Sequence, residues 1–107
     1  MTASDSGGEE RKNLFSRLEK RLPEELTEIL LSGRGIRVER IVSDGHTTGW
    51  YDQEENEWVC LLEGEADLEI EGEIQTLQRG EFLLIPRHCR HRVTRTTKCI
   101  WLCIFFD

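Results

Sequence analysis

Over most of its length the chain alternates apolar and polar positions with a period of two. Ala66, Leu68 and Ile70 interleave strictly with Asp67, Glu69 and Glu71, which is the mark of a strand with one buried face. The same period predicts strands over 36–42, 57–62, 73–77, 81–85, 91–94 and 99–106. Gly64, Gly72 and Gly80 punctuate the series at eight-residue intervals. Short strands at that spacing, with turn glycines between them, predict an all-β sandwich or barrel.

Two of these strands are apolar on both faces. Glu57, Val59 and Leu61 point one way while Trp58, Cys60 and Leu62 point the other. In the last strand Cys99, Trp101 and Cys103 alternate with Ile100, Leu102 and Ile104. A strand that is apolar on both sides is covered on both sides. One face is the barrel interior, and the other lies under N-terminal helices or a second subunit. An outward patch formed by Trp58, Cys60 and Leu62 with Cys99, Trp101 and Cys103 predicts a homodimer.

Before residue 35 the period lengthens. Residues 1–12 are rich in Gly, Ser and charge and predict a disordered tail. Asn13 suits a helix N-cap, with Leu14, Phe15 and Leu18 at helical spacing. A second helix is predicted from Pro23, with Leu22, Leu26, Ile29 and Leu30 on one face and Gly33 past its end. The expected organisation is a tail over 1–12 and one domain over 13–107, helical over 13–33 and barrel over 36–106.

Length and composition narrow the class. A chain of 107 residues supports one core, and 37% apolar with 33% charged residues fits a soluble globular domain. No apolar stretch is long enough to cross a bilayer, and residues 1–12 hold no secretory h-region. A cytoplasmic protein without a membrane partner is expected. The net charge of −7 argues against nucleic acid as a partner. Acidic residues dominate from Asp52 to Glu73, whereas Arg79, Arg87, Arg90, Arg92, Arg95 and Lys98 make the last third basic. Either these are two solvated faces, or the basic run rims a pocket that draws an anionic ligand. Among the four cysteines, Cys60, Cys99 and Cys103 fall in apolar strands and read as core. Cys89 lies between His88 and Arg90 and has two readings, an ordinary buried thiol or one whose pKa is lowered by basic neighbours into reactivity.

Fixed spacings carry a family resemblance. Gly45, Glu57 and Gly64, followed by Gly80, Pro86 and His91, stand at the intervals of the two motifs of the cupins, and the chain resembles that family over residues 45–95. The resemblance implies a cupin-type double-stranded β-helix, a jelly-roll barrel. It also implies a divalent metal held inside by three His and one Glu. The two histidines of the first motif fall on Tyr51 and Gln53 here. In the second motif His88 replaces a Gly and Arg95 an Asn. Only Glu57 and His91 remain of the metal set.

Two readings of the pocket follow. In one, Glu57, His91 and Gln53 hold a divalent ion (Zn, Fe, Mn or Ni) with water. In the other, Glu57 and His91 form a hydrogen-bonded pair in a metal-free cavity, able to act as a general acid and base. Tyr51, Gln53, Trp50 and His88 are candidate ligand-binding residues, with His88 near the pocket mouth and Trp50 and Tyr51 as an aromatic wall. His46 reads as surface. The expected function is a small-molecule-binding cupin whose ligand is polar and, on the basic-rim reading, anionic. The alternative is a small cupin enzyme, metal-assisted or metal-free, that oxidises, isomerises or decarboxylates a small polar substrate.

Overall fold

The computed structural model describes residues 11–16 and 24–107. Eight strands follow one another: β1 (Leu26–Gly33), β2 (Ile36–Asp44), β3 (Asn56–Glu63), β4 (Glu65–Ile70), β5 (Glu73–Gln78), β6 (Phe82–Ile85), β7 (His91–Thr96) and β8 (Lys98–Phe106). They form a five-stranded sheet in the order β1-β2-β8-β3-β6 and a three-stranded sheet in the order β5-β4-β7. Neighbours are antiparallel throughout. The two sheets are the halves of a jelly-roll barrel. Among the described residues no helix is long and apolar enough to cross a membrane.

The core lies between the sheets. Val59, Leu61, Leu68, Ile85, Trp101 and Phe105 are buried there, and burial of each such side chain is worth about 1.5–3 kcal/mol. Register fixes who faces inward. Glu57 pairs with Phe105, Val59 with Cys103 and Leu61 with Trp101, so these residues share the inner face. Gly64 is required by close approach at the β3–β4 turn. Its φ is +88°, and a Cβ there would meet the Cβ of Cys99 at 2.6 Å.

Two expectations are corrected. The first concerns the N-terminal helices. Leu26–Gly33 is a strand, paired from Leu26↔Val42 to Gly33↔Ile36 and closed by a hairpin turn at Gly35, φ +73°. A bulge between Ile29 and Leu31 puts an extra residue in the strand and erases its period of two. The apolar run Ile29-Leu30-Leu31 therefore mimics a helical face, while pairing with β2 decides the conformation. Asn13 does cap a turn: its Oδ1 accepts from the Phe15 N–H at 2.8 Å. Leu18, Leu22, Pro23 and residues 1–10 of the expected tail lie outside the described residues.

The second correction is to the outward patch. Cys99, Trp101 and Cys103 belong to the buried interior. Trp58 pairs with Ile104 and Cys60 with Leu102, so the outer apolar face of β8 is Ile100, Leu102 and Ile104. On the outer sheet face Arg40 is covered by the segment that holds Leu14 and Ser16. Arg40, 3% exposed, donates to Glu28 at 2.6 Å and to the carbonyls of Leu14 and Ser16 at 2.8 Å each. Phe82 and Leu84 on β6 remain largely exposed.

Candidate functional site

Alternation along β3 turns Glu57 inward, and the first position of β7 brings His91 to meet it. His91 Nε2 stands 3.6 Å from Glu57 Oε1, with both side chains nearly out of water. The segment between β2 and β3 supplies the rest. Tyr51 bridges to His91 through two backbone hydrogen bonds of 2.8 and 3.1 Å, which puts both side chains on one face. Their rings lie 5.5 Å apart. Gln53 Nε2 donates to Glu57 Oε1 at 3.1 Å, and Cys103 lines the same cavity.

The tautomer of His91 is set by its other nitrogen. Nδ1–H donates to the Cys89 carbonyl at 2.9 Å, which leaves Nε2 facing the Glu57 carboxylate. Burial alone lowers the His91 pKa, but the nearby Glu57 carboxylate and the Cys89 carbonyl together raise it above its ordinary 6.5. Protonated His91 then gives Nε2 a proton to offer. Burial first and then the Glu57 charge push the Cys103 thiol far up, so it stays neutral.

These groups open on a cavity of about 240 Å³. Glu57, His91, Gln53 and Tyr51, all expected from the sequence, line it together. Trp50 and His88, also expected at the pocket, are not among the residues that line it. With Tyr51 turned inward, the next residue along an extended chain must turn outward. Trp50 accordingly lies under the Arg90 and Arg92 guanidiniums, 4.6 and 4.5 Å from its ring centre. His88 occupies a left-handed turn, φ +60°, a conformation that glycine adopts without strain. Its imidazole bonds exposed Asp52 at 2.7 Å, and its N–H donates to the Gln53 carbonyl at 2.7 Å. It braces the segment that carries Gln53 and does not line the cavity.

The basic run is also elsewhere. Arg92 pairs with Glu69, Arg95 with Glu65 and Asp67, and Arg79 with Glu63, and none of them lines the cavity. Cys89 packs against the core, and burial followed by the charge of Glu71 raises its pKa. Of its two readings, the ordinary buried thiol is the one this direction favours. What sequence reasoning missed is the contribution of β2 and of the residue before β1: Glu25, Arg37 and Glu39 line the cavity. Arg37 and Glu39 share parity with Ile41 in a strand, and that inward polar pair was the available signal.

A resident metal does not fit this donor set. Among the described residues no group of three His, Cys, Asp or Glu side chains converges on one point. No fully buried side-chain polar atom among the described residues lacks a hydrogen-bond partner.

Comparison with known proteins agrees with the architecture. The Cupin domain profile matches residues 38–105. A protein from Ralstonia eutropha JMP134, described provisionally as a mannose-6-phosphate isomerase, is 34% identical, with a TM-score of 0.87 over 92% of this chain and 99% of that one. A cupin superfamily protein from Desulfitobacterium hafniense DCB-2 is 20% identical, with a TM-score of 0.80 over 92% of each chain. KdgF from Halomonas sp. is 18% identical, with a TM-score of 0.73 over 82% of this chain and 84% of its own. No protein of curated function matches the sequence. With the barrel, the motif spacings and the profile match in agreement, the chain belongs to the cupin family.

Proposed function

We propose that the protein binds a small polar molecule inside its barrel, with Glu57, His91, Gln53 and Tyr51 as recognition groups and no resident metal. One observation carries this: a buried Glu57–His91 pair faces a cavity of about 240 Å³. Apolar side chains of similar volume at both positions would be equally good or better for stability. The pair is therefore better explained by a ligand than by folding. A cavity with an apolar wall and a few convergent polar groups is the usual form of such a site. The four free thiols suit a reducing, cytoplasmic setting. Exposed Phe82 and Leu84 beside the outer face of β3 and β8 suit a homodimer, and light scattering that returned a monomer mass would remove that part.

The test is native mass spectrometry of freshly purified protein. An organic adduct in the wild type, lost in Glu57→Gln, is expected. A bare chain mass in both would contradict the proposal, and so would a stoichiometric metal adduct.

A catalytic reading is favoured by one observation, the 34% identity to a protein described provisionally as an isomerase. Glu57 would take a proton from carbon while His91 Nε2–H protonates the neighbouring oxygen, which needs no metal. Incubation with small hydroxy-carbonyl compounds in D₂O decides it. Loss of the α-proton signal supports catalysis, and unchanged spectra leave binding alone.

A further inference from the structure

The charge of the ligand, granted the binding role proposed above, follows from which groups face the cavity. Arg37 is the only guanidinium lining it among the described residues, and that guanidinium is already held. Its Nε donates to Glu39 at 2.7 Å, its Nη1 and Nη2 to the two oxygens of Glu55 at 2.9 and 3.2 Å. Its flat face lies 4.2 Å from the centre of the Phe105 ring. The bidentate fork is the geometry with which arginine grips a carboxylate or phosphate, and here a carboxylate of the chain itself sits in it. We propose that Glu55 is a specificity-determining residue: by occupying the Arg37 fork it turns the cavity against anionic ligands and toward a small protonated amine.

The remaining groups point the same way. Glu25, Glu39 and Glu57 all line the cavity. His91 is matched by Glu57 at 3.6 Å, and Arg37 is shared between Glu39 and Glu55. Carboxylates therefore outnumber cations. Tyr51, Trp101 and Phe105 add aromatic rings to the wall, and a ring face attracts an ammonium group. Two separate groups register the same field. Burial first, and then the charges of Glu25, Glu39 and Glu57, raise the pKa values of both the Tyr51 phenol and the Cys103 thiol.

The test compares methylammonium, acetate and neutral acetamide, probes of similar size and different charge. The readout is the indole N–H signal of Trp101, a cavity-lining residue, in NMR titrations of the wild-type protein. Methylammonium is expected to move that signal at a concentration about tenfold lower than acetate. Glu55→Gln frees the fork and is expected to bring acetate level with methylammonium or ahead of it. Glu39→Gln, which frees Nε, should shift the balance in the same direction. Acetate acting first in the wild type would overturn the inference while leaving a ligand site in place. An unchanged preference in Glu55→Gln would remove the role assigned to that residue. Silence toward all three probes would instead show that small molecules do not enter the barrel, and the binding proposal would fall with this one.

Discussion

Two polar networks lie on opposite sides of one thin wall of the barrel, and distance ranks them in the wrong order. On the outer face of β4 and β7, Arg95 reaches Glu65 at 2.6 Å and Asp67 at 2.9 Å. Inside, His91 and Glu57 stand 3.6 Å apart. The outer contacts are shorter, yet water and salt screen them, and exposed pairs contribute little. The inner pair is longer but lies where the effective dielectric is low, so losing one partner strands the other. Burial decides which network matters. The outer one lies on the solvent face of the sheet, and the inner one lines the cavity.

The sharpest way to break this contrast is to cut each network once. Glu57→Ala leaves His91 buried without its partner and is expected to cost about 3 kcal/mol in urea denaturation. Arg95→Ala is expected to leave the unfolding midpoint unmoved, despite its shorter bonds. Equal losses would mean that contact length and not burial sets the energetics here. A smaller effect concerns the thiols. Cys103 is pushed far up by burial and then by Glu57, and Cys99 is held up at about 11, chiefly by burial. Neither should react with a thiol reagent in the native protein at neutral pH, and mass spectrometry after brief labelling checks this. Rapid modification of Cys103 would show that the cavity admits a bulky electrophile and that the thiol is not held protonated. The smallest effect expected is that of deleting residues 1–12, which should barely change the melting temperature.

The barrel was largely legible in the sequence because its signals are local. Strict alternation in β4 and turn glycines at Gly64, Gly72 and Gly80 require no knowledge of partners. β1 was misread because its bulge at Ile29–Leu31 destroys the period that announces a strand. Glu57, His91, Gln53 and Tyr51 were legible because motif spacing and strand parity agree for all of them. Trp50 follows the opposite parity, so the same rule, applied strictly, turns it outward. Glu25, Arg37 and Glu39 were hidden for a different reason. A charged residue in a two-residue alternation reads as solvent-facing until the ladder shows which side is closed. Only the β2–β8 register, with Glu39 opposite Cys103 and Arg37 opposite Phe105, brings these charges inside. Charge along the chain left two solvated faces and a basic rim both open, because the sequence does not show that β7 carries Arg92 and Arg95 in ion pairs with the β4 carboxylates, away from the cavity.

Glu57 and His91 face each other inside the barrel, and the Glu57 carboxylate governs the His91 proton. This coupling is tested most directly by the pH titration of the His91 imidazole, followed by NMR in chelator-treated protein. The folded pKa is raised above 6.5, so the pair's contribution to stability is complete below the unfolded value and is lost as pH rises through the folded one. A titration midpoint above 6.5 is expected, with Nδ1 protonated throughout. That midpoint should fall in Glu57→Gln, where burial is left without the opposing charge. A midpoint at or below 6.5 in the wild type, or one indifferent to Glu57→Gln, would contradict the account.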